Sequence, residues 1–389
     1  KNLRMEIETL NLNNLRKLLK KEQYGKALEL CEKTLAQNPA DIELYKVKFL
    51  CCINLQKFQE ALEIADFNGE FAFEKAYCLY RMNKLNEALN ICNSIQVKSD
   101  NVINLQAQTL YKLQRYQEAT VLYQNLIDKQ SSSDIDTDLY TNLYSTSVSA
   151  GQSQHVLNEY HLDESSIGNS FDLMYNIGCA QIAVKDLSSA QFSLHKAYEI
   201  SCKLLTEEGL TDEQIAHESR AIKLQISLID ILNGHDTHSS LELCRTILRS
   251  TKHNNELLAV AANNLTVLRG SNDLPDSLRR LKNTISSSTE EKLTKSQLME
   301  IRYNRSILLL HTKRFDECIK TLDELDKIYG VTTRSLVIRA STHIVLGNFS
   351  SCDELLKIED ISSQSKIDIT PLLILKAQTF ILRELYSKA

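Results

Sequence analysis

The chain reads as all-α, a right-handed helical solenoid of about nine to ten stacked helix-turn-helix pairs. Three observations predict this. A bulky residue, a small one three positions on and an apolar one four further on recur as Tyr24-Ala27-Cys31, Phe58-Ala61-Ala65, Leu85-Ala88-Cys92, Tyr116-Ala119-Tyr123, Leu187-Ala190-Leu194, Phe315-Cys318-Leu322 and Phe349-Cys352-Leu356. Ala27 to Ala61 is 34 residues, and so is Cys318 to Cys352. That is the period of the tetratricopeptide (TPR) repeat, whose units bury their apolar faces against one another. Finally, the 389 residues contain only 10 Gly and 3 Pro, so few positions break a helix. A chain this long exceeds one compact core, whereas a solenoid grows by addition.

The first pair spans residues 10–39. Leu12, Leu15, Leu18 and Leu19 form the apolar stripe of its first helix (helix A). Ala27, Leu28, Cys31 and Leu35 form that of the second (helix B), and Pro39 follows where the helix stops. Residues 42–67, 71–95 and 102–128 repeat the plan. The motif alanines mark the crossing of helices A and B, where a leucine would overpack by roughly 1–3 kcal/mol. The bulky residue three positions earlier lies on the same face. Twelve residues before the motif, helix A also needs a small residue, and Ala76, Ala107, Gly178, Ser306 and Ala340 supply it. Leu15 and Phe49 occupy that slot in the first two pairs, which predicts looser packing or a changed angle there.

A polar loop follows from Gln130 to Asp138. Residues 139–162 form a degenerate pair turning at Gly151, and 172–203 a good pair containing Tyr175-Asn176-Ile177-Gly178. Residues 206–214 read as a charged insert. Residues 215–249 are two helices joined at Asn233-Gly234, and 256–285 a pair broken at Gly270-Ser271-Asn272-Asp273. Ser286 to Lys295 reads as a second polar loop. Residues 297–328 and 334–358 are two strong pairs, and Pro371 opens a last helix to Tyr386 that has no partner helix. The solenoid thus has three stretches, 1–129, 139–285 and 297–389. The chain starts without Met and ends at Ala389 inside an apparent helix, so it reads as a fragment.

Composition excludes several functions. A net charge of −5 argues against a general nucleic-acid binder. Arg16-Lys17-Lys20-Lys21 and Arg279-Arg280-Lys282 read as solvated helix faces, with a local phosphate contact as the other reading. The 10 cysteines include no Cys-x-x-Cys, and Cys31, Cys92, Cys318 and Cys352 fall on packing positions, where they act as small hydrophobes. This points to a reducing compartment, cytosol or nucleus, and the cytoplasm is the expectation. No apolar run approaches membrane-spanning length, and no signal-peptide core opens the chain. The nine histidines are scattered, and His235-x-x-His238 sits at a polar turn. No Gly-rich phosphate loop is present. The expectation is a non-enzyme with no catalytic residue, metal site or cofactor.

Function is therefore expected on the concave face lined by the A helices, where residues not needed for packing are free to meet a partner. Counting from the packing residue places Phe73, Tyr77, Tyr80 and Arg81 there, then Gln108, Tyr111 and Lys112, and later Tyr140, Tyr175 and Tyr303. Tyrosine is large, partly polar and loses little entropy on binding. Each tyrosine has a second reading, packing between neighbouring A helices. Asn142, Asn176 and Asn304 share one A-helix position, and Asn264 lies near it. An asparagine amide matches a peptide unit's donor and acceptor, so this row reads either as a ladder for an extended peptide or as bonds between helices. The carboxylate clamp known from other TPR proteins finds only Arg16, Lys46 and Arg81 here, without the asparagines it uses.

The run Phe73-Glu74-Lys75-Ala76-Tyr77-Cys78-Leu79-Tyr80-Arg81 goes beyond a generic TPR, as do Leu110-Tyr111-Lys112-Leu113 and Thr141-Asn142-Leu143. So do Tyr175-Asn176-Ile177-Gly178-Cys179-Ala180 and Leu257-Leu258-Ala259-Val260-Ala261-Ala262-Asn263-Asn264. In this order they resemble the family of the 72-kDa protein of the eukaryotic signal recognition particle, over roughly residues 10 to 320. The resemblance implies a TPR arm whose groove receives a C-terminal segment of the 68-kDa subunit, in a cytosolic particle that delivers ribosomes to the endoplasmic reticulum. It also implies that RNA is met only through a lysine-rich region after the array, which this sequence does not contain. A TPR adaptor of another complex and a homo-oligomeric scaffold are the alternatives.

Overall fold

A computed structural model of the chain describes residues 14–37, 39–67, 71–130, 135–234, 237–249, 255–290, 292–356 and 368–383. The expected start of the first pair at residue 10, the middle of the Gln130–Asp138 loop, His235 and the end of the last helix at Tyr386 lie outside these residues. The described residues contain helices and no β-strand. They form two compact units that divide between Asp186 and Leu187.

In the first unit the A helices are α1 (residues 14–20), α3 (Ile42–Asn54), α5 (Ala72–Arg81), α7 (Asp100–Lys112) and α9 (Thr137–Ser149). The B helices are α2 (Tyr24–Gln37), α4 (Phe58–Phe67), α6 (Leu85–Ser94), α8 (Tyr116–Ile127) and α10 (Ser153–Glu159). A single turn, α11 (Glu164–Ile167), leads to α12 (Phe171–Ala183), which packs on α9. The motif residues Ala27, Ala61, Ala88 and Ala119 are wholly buried, as are Ala76 and Ala107 on the A helices. The helices therefore touch where the sequence places small residues. Leu15 fits that slot fully buried, and Phe49 packs half-buried against the same core. Cys31 shows how close the crossing is: its thiol donates to the Leu44 carbonyl at 3.1 Å.

The turn between helices A and B repeats one geometry. Glu22, Gln56, Asn83, Gln114, Gly151 and Lys185 all have positive φ, between 54° and 73°. In each case the next residue's N–H bonds a carbonyl five residues back: Lys57 to Cys52, Lys84 to Leu79 and Arg115 to Leu110, for example. This is a Schellman cap, which satisfies the last free carbonyls of helix A. Among the six, Gly151 suits a left-handed conformation best and Asn83 tolerates it, while the other four carry side chains that strain there.

The second unit runs through α13 (Leu187–Glu207), α14 (Asp212–Glu218), α15 (Arg220–Asn233), α16 (Thr237–Arg249), α17 (Asn255–Arg269) and α18 (Leu274–Thr284). It continues with α19 (Ser287–Glu290), α20 (Lys295–His311), α21 (Phe315–Tyr329), α22 (Thr333–Val345), α23 (Phe349–Leu355) and α24 (Thr370–Leu382). The expected charged insert 206–214 is mostly helix. Thr211 and Gln214 form a reciprocal capping box that starts α14. The expected polar loop 286–295 is also partly ordered as α19, because Thr289 and Leu293 are buried and the Ser286 hydroxyl accepts from the Thr289 N–H. The 215–249 stretch holds a further break at Ser219, between α14 and α15. Cys318 and Cys352 are wholly buried at their crossings, and the Cys318 thiol donates to the Ser306 carbonyl at 3.3 Å. Lys313 and Gly347 carry the same positive-φ turn as the first unit.

Candidate functional site

A cavity of about 400 Å³ opens among α5, α7, α8 and α9 of the first unit. Tyr80, Gln108, Tyr111, Lys112 and Asn142 line it, all from A helices, together with Tyr123, Ser145 and Thr146. Five of the sequence-predicted groove residues thus meet around one space, and no acidic side chain lies among the lining residues.

Packing explains their placement. The last turns of α5 and α7 carry the aromatic residues inward because Ala76 and Ala107, one turn earlier, let their helices sit close to their neighbours. Tyr80 stands over the Lys112 ammonium, whose Nζ is 3.9 Å from the ring centroid, a cation–π distance. The Tyr111 hydroxyl bonds the Ser145 hydroxyl at 3.0 Å, one 34-residue step along the chain. Its ring meets Tyr116 edge-on at 5.4 Å. Gln108 donates to Asn104 at 3.2 Å. Burial pushes up the Tyr80 and Tyr123 phenols, so both stay neutral donors and acceptors. Burial first, and the Arg81 charge second, hold the Lys112 amine below the ordinary lysine range.

Phe73 and Tyr77 lie outside this cavity. Both pack half-buried against Ala76, Cys92, Val102 and Leu105, which is the helix-packing reading of an A-helix aromatic. The Tyr77 hydroxyl accepts from Arg81 Nη1 at 2.7 Å, and the Arg81 guanidinium lies 4.6 Å from the Phe58 ring centroid. Tyr140 is half-buried in α9. Tyr175 hydrogen-bonds the Cys179 thiol one turn on in α12, and burial raises both, Cys179 to about 11.

The asparagine row divides. Asn142 faces the cavity. Asn176 instead donates to the Thr141 carbonyl of α9 at 3.0 Å, which ties adjacent A helices together. In the second unit Asn304 donates to Asn263 at 2.8 Å, and Asn264 is only 6% exposed. Tyr303 is not a groove residue: it is 1% exposed, with its hydroxyl on Thr332 and its ring 4.7 Å from Arg334. Long side chains at these positions fill gaps between A helices wherever no cavity opens. Asn304 also borders a second cavity of about 260 Å³, lined mainly by Val267, Leu274, Ile307 and Leu308.

Sequence reasoning missed Tyr123, Ser145 and Thr146. Tyr123 is the third residue of its motif, where the other repeats carry smaller side chains, and that size difference was the available signal. Among the described residues no cluster of three or more His, Cys, Asp or Glu could hold a metal, and no helix is long and apolar enough to cross a membrane. The cysteine thiols at the packing positions are raised by burial, Cys31 to about 12.

Residues 20–146 match the family described as "Putative TPR-like repeat", SRP_TPR_like. The chain is 32% identical over 305 residues to signal recognition particle subunit SRP72 of Canis lupus familiaris, covering 76% of this chain and 45% of that protein. The Homo sapiens SRP72 is 31% identical with the same coverage. SRP72 of Dictyostelium discoideum is 27% identical over 321 residues, 79% of this chain and 47% of that protein. The chain thus spans about half the length of the relatives it matches. Among solved structures, the APC/C hetero-tetramer Cut9–Hcn1 is similar with a TM-score of 0.49 and 12% identity, over 95% of this chain and 75% of that one. By its sequence, the chain is a homologue of the N-terminal, TPR-like region of signal recognition particle subunit SRP72.

Proposed function

We propose that this chain is a cytoplasmic protein-interaction scaffold of the signal recognition particle, and that the cavity of its first unit receives an extended C-terminal segment of the 68-kDa subunit. The observation that carries this reading is the convergence of Tyr80, Gln108, Tyr111, Lys112 and Asn142 on one concave space. Two rigid phenols offer contact area, and the amides of Gln108 and Asn142 match the hydrogen-bonding groups of a peptide backbone. Such a site grips a chain without chemistry, in keeping with a role in co-translational targeting to the endoplasmic reticulum. RNA would be engaged by parts of the particle outside this chain.

The test is fluorescence anisotropy with a labelled C-terminal segment of the 68-kDa subunit, with and without the particle's RNA. RNA-independent binding that weakens in Asn142→Ala at unchanged melting temperature, and in Tyr111→Ala while that variant is still folded, supports the reading. Absence of binding rejects it. A self-association reading is favoured by one observation: α24 exposes Leu373, Ile374, Ile381 and Leu382. Light scattering across a concentration series decides that reading, since a constant monomer mass removes it.

A further inference from the structure

Two cations end consecutive A helices beside the cavity, Arg81 on α5 and Lys112 on α7. Both rest on aromatic faces, Arg81 on Phe58 and Tyr77, Lys112 on Tyr80. Neither is ion-paired among the described residues. Several other cations of the unit do have an acid. Lys46 pairs with Glu43, Lys48 with Glu32, Lys57 with Glu60, Lys75 with Asp66 and Arg115 with Glu118. Elsewhere, two arginines seated on rings have acids, Arg334 on Tyr303 with Glu300 and Arg383 on Phe349 with Asp353, whereas Lys223 on Tyr198 has no ion pair among the described residues. In a chain of net charge −5, Lys112 lines the cavity without a counter-charge, and Arg81, next in sequence to the lining residue Tyr80, adds a second positive charge close enough to act on it. A cleft of one sign with low-dielectric walls concentrates its field on an incoming ligand of the other sign.

We propose that the segment bound in this cavity is acidic, and that its Asp or Glu side chains complete the pairing left open at Arg81 and Lys112. This deepens the peptide-groove reading above and rests on the cavity being a binding site, though not on the identity of the partner. Side-chain carboxylates, and not a chain terminus, are indicated because two cations on successive helices face a segment crossing both, whereas a terminus supplies one carboxylate. The rings hold the two cations in place before binding, so little side-chain entropy is left to lose.

The experiment is selection of a phage-displayed random 12-residue peptide library on the 389-residue chain, followed by affinities for synthetic, C-terminally amidated peptides. The expected result is enrichment of peptides with spaced Asp or Glu. Their affinity should fall about tenfold or more in Lys112→Met and in Arg81→Met. It should be recovered in Lys112→Arg and hold in the remote Lys129→Met. The inference is overturned if peptides lost in Tyr111→Ala carry no acidic bias and bind Lys112→Met equally, or if the selection yields no binder. The 68-kDa segment is measured beside them. If it binds without dependence on Lys112 or Arg81, the partner reading survives and this one falls. If acidic peptides bind with that dependence and the segment does not, the reverse holds.

Discussion

At the scale of single residues, the turn positions carry a cost that substitution can remove. Lys313 and Gln114 hold φ of 59° and 58° at the A-to-B turn, and Gly347 holds 71° in the equivalent place. A side chain in that region costs about 1 kcal/mol, against which glycine's freedom in the unfolded chain is a partial offset. Lys313→Gly should raise stability by a few tenths to about 1 kcal/mol in chemical denaturation, and Gly347→Ala should lower it by a similar amount. The asparagine row divides by the same kind of local fact. Asn176→Ala removes the bond to the Thr141 carbonyl and should cost about 1 kcal/mol while leaving groove affinity intact. Asn142→Ala should do the opposite. Equal effects of both on affinity would contradict this division.

At the scale of elements, α18 begins with a charge cluster that makes its stability depend on pH. Arg269, Arg280 and Arg279 all hydrogen-bond the Asp276 carboxylate, and these bonds hold it well below the usual carboxylate range. A folded-state value depressed in this way stabilises above the ordinary carboxylate value, about 4, and the contribution is lost as pH falls below it. Asp276 and Arg269 are mostly buried, so Asp276→Asn should cost about 2 kcal/mol at neutral pH and flatten the acid limb of the stability profile. An unchanged acid limb would show that the cluster does not act as described. Between α7 and α8 the relevant quantity is volume. Ala119 is wholly buried at their crossing, and Ala119→Leu should destabilise by roughly 1–3 kcal/mol, read as a lower denaturation midpoint.

For the whole molecule, the first unit holds both a continuous core through α1–α6 and the entire proposed groove. Residues 1–186 expressed alone should therefore keep the segment affinity of the 389-residue chain within about threefold, as measured by anisotropy. A larger loss would mean that the site needs residues 187–389. The helical pairs and the small residues at their crossings were legible in the sequence, because both follow from periodicity and side-chain volume. The convergence of five A-helix residues on the cavity was legible too, since a position on an A helix sets the face a side chain occupies. Tyr303, Asn264 and Asn176 were not separable from them by position alone. Whether a long side chain on that face meets a cavity or a neighbouring helix depends on how far apart the helices sit.

By itself the sequence determined an all-helical repeat protein, its period, its crossings and its kinship with SRP72, since these rest on spacing and residue identity along the chain. Only the tertiary structure decided which A-helix residues share a space, that Tyr123 closes it from a B helix, and that Lys112 stands there on the Tyr80 ring without an acid. The Tyr111–Ser145 and Lys112–Tyr80 contacts join residues on successive A helices, far apart along the chain, at distances that packing sets and local sequence does not encode.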